Sequence, residues 1–295
     1  MNNKIIISYL FIYFFASCNL IDKPEEIPSF IKIDSINLQI NSSNEGSSSN
    51  AITDAWVYVD GNLEGAYELP ADKIPIHYTG KHDISIYAGI KKNGVTGNRK
   101  KYPFFTSFRQ NIDLIADSII EIFPHVEYED NLYFWTEDFE DPQTKFENYI
   151  YSDTNIYIVS SPTTELLEGD AGAITMKANN YECEIRTDDL NLNNLPTNVN
   201  IPAYLELDYK CNHNFTIGIL HKNNSVPTYQ KQALITLFPT TNNSGIDIWN
   251  KSYLYLPDAS SLASNATEFD IYIYVLNDNA RDDIEIRLDN IKVIF

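Results

Sequence analysis

The sequence predicts an all-β chain folded as two tandem β-sandwiches, and three observations carry that prediction. Apolar residues recur at every second position through much of the chain, the spacing of strands with one buried face. Aromatic residues make up 13% of the 295 positions. With frequent Ile and Val they suit a pleated surface, while Asn and Asp interrupt the runs where turns belong. No stretch carries the 3.6-residue spacing of a long amphipathic helix, and there is no internal repeat. At this length two domains fit better than one.

Near the start of the chain Lys4 precedes an apolar run from Ile5 to Phe15. That run is shorter than the roughly 20 residues a membrane-crossing helix needs, and residues 1–17 read as a secretion signal. Ala16 and Ser17 are the small residues a signal peptidase accepts, and Cys18 follows them. The string FASC, residues 15–18, resembles the bacterial lipobox, with Phe15 at a place where an aliphatic residue is usual. The resemblance implies that Cys18 becomes the acylated N-terminus of an outer-membrane lipoprotein, facing the periplasm or the cell surface. Each buried methylene contributes about 0.8 kcal/mol, so several acyl chains give a durable anchor. An ordinary signal peptide cut elsewhere, or an uncleaved anchor, is the alternative.

Residues 18–30 are polar, acidic and proline-containing, which suits an extended tether. The first sandwich is expected over 31–128. In IKIDSINLQI, residues 31–40, Ile31 and Ile33 are followed by Ile36, Leu38 and Ile40 on a face that switches once, which predicts a bulge or kink near Asp34. NSSNEGSSSN, residues 41–50, reads as a loop too polar to pack. In AWVYVDGNLEGAYELP, residues 55–70, Val57 and Val59 share one face, Trp56 and Tyr58 the other, and Asp60-Gly61 marks a hairpin turn. VYVDGNLEG followed by GKHDISIYAG resembles small immunoglobulin-like sandwiches of the PEGA type. That likeness implies an immunoglobulin-like fold serving as a spacer or adhesive unit.

TEDFEDPQTKFENYI, residues 136–150, is acidic, contains Pro142 and lies near the boundary of a second sandwich expected over 129–295. YLELDYKC predicts a half-buried strand with Leu205, Leu207, Tyr209 and Cys211 inward and Glu206, Asp208 and Lys210 in solvent. FDIYIYV sets Phe269, Ile271, Ile273 and Val275 inward. In the closing IEIRLDNIKVIF the inward residues move from even positions (Ile284, Ile286, Leu288) to odd ones (Ile291, Val293, Phe295), so a bulge is expected at Asp289 and Asn290. The pairing of an opening DFE (Phe139, Glu140) with a closing LDNIKV (288–293) resembles galactose-binding-like jelly rolls of carbohydrate-binding modules. With the lipobox and the tandem layout, the chain resembles surface lipoproteins of Bacteroidota-type bacteria.

That resemblance places a structural Ca²⁺ between the opening acid and the closing aspartate, here Glu140 and Asp289; the alternative is that Asp289 satisfies backbone donors beside the bulge. Tyr253 and Tyr255 share one strand face, and so do Tyr272 and Tyr274. Were the two strands adjacent, four rings with Asp270 and Asn277 nearby would form a surface for stacking sugars; ordinary cross-strand packing is the other reading. Cys183 and Cys211 either form a disulfide in an oxidising compartment or remain two buried thiols. Trp56, Trp135 and Trp249 are expected to anchor the cores. Cys211, His213 and His221 alternate, yet a continuous strand would hold Cys211 and His221 about 33 Å apart, too far to share a metal. Two Asp-Ser-Ile strings, at Ser35 and Ser118, resemble an O-glycosylation acceptor pattern of exported Bacteroidota-type proteins.

The balance of 21 Lys and Arg against 41 Asp and Glu argues against nucleic acid as a partner, because such binding depends on cations that release counterions from phosphates. No nucleophile elbow, zinc-protease helix, phosphate loop or dinucleotide fingerprint occurs. The expectation is a non-catalytic, lipid-anchored envelope protein that binds a glycan or a surface protein. The rivals are an accessory subunit of an outer-membrane transport or secretion complex, and a glycan-processing enzyme using acid pairs such as Glu137–Asp138 or Glu140–Asp141.

Overall fold

The computed structural model describes residues 27–160, 166–187 and 190–295, so Cys18 and the leader lie outside the described residues. Among the described residues no helix is long and apolar enough to cross a membrane. The fold is all-β, as the period-2 spacing predicts.

The first half holds β1 (Ser29–Ile33), β2 (Asn37–Gln39), β3 (Asp54–Val59), β4 (Asn62–Glu68), β5 (Ala71–Ile76), β6 (Gly80–Lys91), β7 (Arg99–Lys101), β8 (Ser107–Leu114), β9 (Ile119–Glu121) and β10 (His125–Glu127). They form a β4-β3-β6 sheet in which β7 and β8 share the far edge of β6, a β5-β1-β9 sheet and a β10-β2 pair. Asp60 and Gly61 have φ of 49° and 80°, the left-handed pair that a two-residue hairpin turn requires, and they join β3 to β4 as predicted. The predicted break near Asp34 appears as a change of sheet: β1 pairs with β5 and β9, whereas β2 pairs with β10. Ile31, Ile33, Ile36 and Leu38 are buried on both sides of it.

The second half holds β11 (Phe134–Glu137), β12 (Phe146–Asn148), β13 (Ile156–Val159), β14 (Ala171–Met176), β15 (Glu182–Thr187), β16 (Tyr204–Cys211), β17 (Phe215–Asn223), β18 (Val226–Leu237), β19 (Asn250–Tyr255), β20 (Glu268–Leu276) and β21 (Ile284–Ile294). Two antiparallel sheets form a jelly-roll sandwich, one ordered β13-β14-β21-β16-β19 with β11 beside the second part of β21, the other β12-β15-β20-β17-β18. The expected inward residues of β16, β20 and β21 meet in one core with Trp135 and Phe139. Phe139 sits at φ 60° with its ring over Gly172, where a Cβ would come within 2.5 Å of that ring. The predicted bulge is present: Asn290 has φ 47°, and the register against β16 shifts between Glu206 and Asp208.

β16 departs from expectation on its polar side. Glu206 is 0% and Asp208 3% exposed, because the first half packs directly on this sheet. Tyr204, Tyr253 and Ile294 belong to the first half's core. Charges taken from water must be paired, and the seam supplies partners. Glu206 Oε1 accepts from Tyr102 Oη at 2.6 Å and Tyr128 Oη at 3.2 Å. Lys251 Nζ lies 3.2 Å from Asp208 and 3.8 Å from Glu206. The polar 41–50 loop packs here as well, contrary to the sequence reading. Ser47 O accepts from Lys292 Nζ at 2.6 Å and Ser49 Oγ donates to Asp208 at 3.0 Å. The loop's polarity therefore matches a buried polar seam, which hydropathy alone reads as solvent.

Candidate functional site

The four tyrosines do not share a surface. Tyr253 and Tyr255 lie on β19 and Tyr272 and Tyr274 on β20, and these strands belong to opposite sheets of the sandwich, pointing outward in opposite directions. Tyr253 is 1% exposed, and its Oη accepts a hydrogen bond from Ala51 N–H at 3.1 Å.

 Tyr255 packs edge-on against Tyr204 and under Lys92 Nζ, 3.9 Å from the ring centroid. This pair joins the two halves because the sheet face it occupies is covered.

Tyr272 and Tyr274 lie on the outer face of the five-stranded sheet, opposite Arg186 and Glu184 of β15 and Gly218 and Thr216 of β17. β15 and β18 are separated by β20 and β17, roughly 14 Å in an unbent sheet, yet side chains from both margins meet over the middle. Lys231 of β18 bonds Glu184 at 2.5 Å. The Arg186 guanidinium lies 5.0 Å from the Tyr229 ring centroid and 5.4 Å from that of Tyr149, pairs with Glu147, and reaches Asp270 at 3.1 Å. Tyr149 and Tyr229 themselves meet edge to face at 6.3 Å. Tyr272, 4% exposed, forms the floor, and Tyr149, Tyr229 and Tyr274 are half-buried around it. Gly218 is required at this place, since a Cβ there would lie 2.4 Å from Gln232 O and 2.6 Å from the Tyr272 ring.

Burial raises the Tyr272, Tyr229 and Tyr274 hydroxyls above their ordinary range, with the charges of Glu184, Asp270 and Glu182 adding to it; Tyr274 is pushed up to about 12. All three are O–H donors at neutral pH. Burial opposes the Arg186 charge, but the Glu147 hydrogen bond and the charges of Asp270 and Glu147 outweigh it and hold the guanidinium ionised. Glu184 Oε1 is buried and has no hydrogen-bond partner. The face thus combines ring planes, phenol donors and one unsatisfied carboxylate acceptor, the set that a hydroxyl-rich ligand can complete.

Glu140 and Asp289 lie in another corner. Glu140 Oε1 accepts from Asp170 N at 2.7 Å, an approach open because Gly169 lacks a Cβ. Asp289 Oδ1 accepts from Asn290 N at 2.8 Å beside the bulge, while its buried Oδ2 has no partner. Burial, followed by the charges of Asp208, Glu168 and Glu140, pushes the Asp289 carboxyl up to about 8 despite the Asn290 bond. Among the described residues no group of three or more His, Cys, Asp or Glu is gathered to hold a metal ion.

Cys183 and Cys211 are free and buried, on β15 and β16 of opposite sheets, so the disulfide reading is corrected to two core thiols. Burial raises them to about 12 and about 11. Glu137, 1% exposed, accepts from Phe139 N at 2.9 Å and Thr144 Oγ1 at 3.1 Å, organising the loop after β11. Asn277 is likewise a loop tie, donating to Lys177 O and Arg281 O rather than facing a ligand. His213 Nε2 lies 3.0 Å from Leu276 O. Trp135 anchors the core as expected, while Trp56 and Trp249 are half-buried.

The sequence reading found Tyr272, Tyr274 and Asp270 but missed Tyr149, Glu184, Arg186, Tyr229 and Lys231. Glu184 and Arg186, and likewise Tyr229 and Lys231, are spaced two apart, which marks a shared strand face. Which strands lie beside β20 follows from topology, and spacing does not reveal it.

No family model and no curated protein matches the chain. Among solved structures it is similar to the CBM22-1–GH10 modules of endo-1,4-β-D-xylanase 10B from Clostridium thermocellum, at 10% identity over 54% of this chain, with TM-score 0.33. The chain spans 26% of that structure's length. It is also similar to a non-crystalline cellulose specific carbohydrate-binding module, CBM28, at 10% identity over 52% of this chain and 91% of that one, with TM-score 0.37. A third is the K1 cleaved adhesin domain of Lys-gingipain from Porphyromonas gingivalis W83, at 13% identity over 55% of this chain and 97% of that one, with TM-score 0.36.

Proposed function

We propose that the protein is a non-catalytic glycan-binding component of the cell envelope, held by acyl chains on Cys18 and binding through the outer face of the five-stranded sheet. The observation that carries the binding role is Glu184 Oε1, an unpartnered buried acceptor on a face ringed by Tyr149, Tyr229 and Tyr274. A sugar ring stacked on a phenol brings hydroxyls that donate to this oxygen and accept from the phenols. The anchor rests on the short apolar leader and FASC. Uptake of labelled palmitate by the wild type and its loss in Cys18→Ala tests that part; palmitate-free protein overturns it.

The binding role is tested on an array of neutral polysaccharides. Wild type is expected to bind at least one class, with Tyr229→Ala and Glu184→Gln each weakening it by about tenfold or more, roughly the effect of one well-placed contact. No binding on any glycan, or binding unchanged in both variants, contradicts it.

Asp289 Oδ2 favours a second reading, that Ca²⁺ occupies this corner. The oxygens of Asp289, Glu140 and Glu168 are the hard donors such an ion takes, although they are not assembled as a cage. Calcium is expected to raise Tm by a few degrees over EDTA in wild type and to leave Asp289→Asn unchanged; equal Tm with and without calcium in wild type removes the ion.

A further inference from the structure

A cleft of about 620 Å³ lies between the two halves, within the size range of small-ligand sites. One wall is the turn after β6, carrying Lys91 and Val95; the other is the end of β18 and the start of β19, carrying Phe238, Asn250 and Lys251. The walls are fixed to each other. Asn93 N donates to Tyr253 O at 2.8 Å, Tyr255 N donates to Asn93 Oδ1 at 2.8 Å, and the turn closes on itself through Gly94 N to Lys91 O at 3.1 Å.

The lining is unusual for this chain. The protein carries 41 acids against 21 bases, yet the cleft contains no Asp or Glu and has Lys91 and Lys251 among its residues. The acids that pair with those lysines, Glu68 with Lys91 and both Asp208 and Glu206 with the buried Lys251, lie outside the lining. The Lys91 side chain is 28% exposed and its nearest acid oxygen is 3.8 Å away, so it is the cation most open to an incoming anion. Phe238 is 71% exposed, an apolar ring at the cleft that the fold does not cover. Thr53, Thr96 and Ser252 add hydroxyls.

We infer that this cleft binds an acidic sugar unit, a hexuronate at or near the end of a glycan, with its ring on Phe238 and its carboxylate at Lys91. A carboxylate fits the cationic, acid-free lining, a pyranose face fits the exposed ring, and sugar hydroxyls fit the Thr and Ser side chains. The site is separate from the tyrosine face.

The test is calorimetric titration of the protein with glucuronate and galacturonate oligomers, with the neutral glucose and galactose oligomers and with acetate. Binding of at least one uronate oligomer is expected, about tenfold or more tighter than its neutral counterpart and than acetate, and weakening as salt rises. Lys91→Gln and Phe238→Ala should each weaken it by about tenfold at unchanged Tm, while Tyr229→Ala leaves it intact. No uronate binding, equal affinity for the neutral oligomer or for acetate, or indifference to both cleft variants overturns the inference. Loss in Tyr229→Ala alone assigns the uronate to the sheet face and also overturns it.

Discussion

Asp289 shows how one residue links the turn of a strand to the behaviour of the molecule in solution. Its carboxyl is pushed from the usual range up to about 8, so between about pH 4 and 8 the folded state holds a proton that the unfolded state has released. Stability contributed by this group is therefore greatest at low pH and is lost as pH rises through that window. In EDTA, Asp289→Asn should flatten the pH dependence of Tm between pH 5 and 8, with its largest gain over wild type at pH 8. A wild-type Tm that rises across the same window in parallel with the variant's would show that the carboxyl ionises normally. The Asn290 φ of 47° that turns Asp289 inward was legible from LDNIKV, because the switch from even to odd inward positions demands an extra residue there. The burial of Asp289 was not legible, since it depends on the strands and loops packed around the bulge.

At the scale of elements, local signals read well and partner strands did not. The Asp60-Gly61 hairpin and the alternation of β20 follow from neighbours in sequence, and both are present. The face of β16 holding Glu206 and Asp208 was read as solvated because alternation separates apolar from polar positions, and a polar face can meet water or another polar surface. The tyrosines of β19 and β20 show the same limit: alternation gives the face each pair shares, but whether the two strands are neighbours is topological, and they lie in opposite sheets. The contact of β17 with β18 depends on Gly218, whose missing Cβ leaves room for Gln232 O and the Tyr272 ring. Because one obstacle is backbone, Gly218→Ala should destabilise by about 1–3 kcal/mol in urea denaturation, as overpacking does. A variant with wild-type stability would show that the strands separate freely at this place.

At the scale of the whole molecule the buried seam makes the halves interdependent. Glu206, Asp208, Lys251 and Lys292 are each at most 9% exposed, and removing one partner of such a set leaves an uncompensated charge. Wild type should unfold in one calorimetric transition, whereas Glu206→Ala should lose about 3–5 kcal/mol and resolve two transitions as the halves uncouple. Two transitions already present in wild type would mean that the seam does not couple them. With the other sheet covered by the first half, the β12-β15-β20-β17-β18 sheet is left as the outer face of the jelly roll, the face proposed to bind. The most direct test is backbone NMR of the protein titrated with a neutral oligosaccharide that it binds. The strongest shifts are expected at Glu184, Arg186, Tyr229, Lys231 and Tyr274, whereas shifts confined to loops or to the first half, with these residues unmoved, would contradict binding at this sheet.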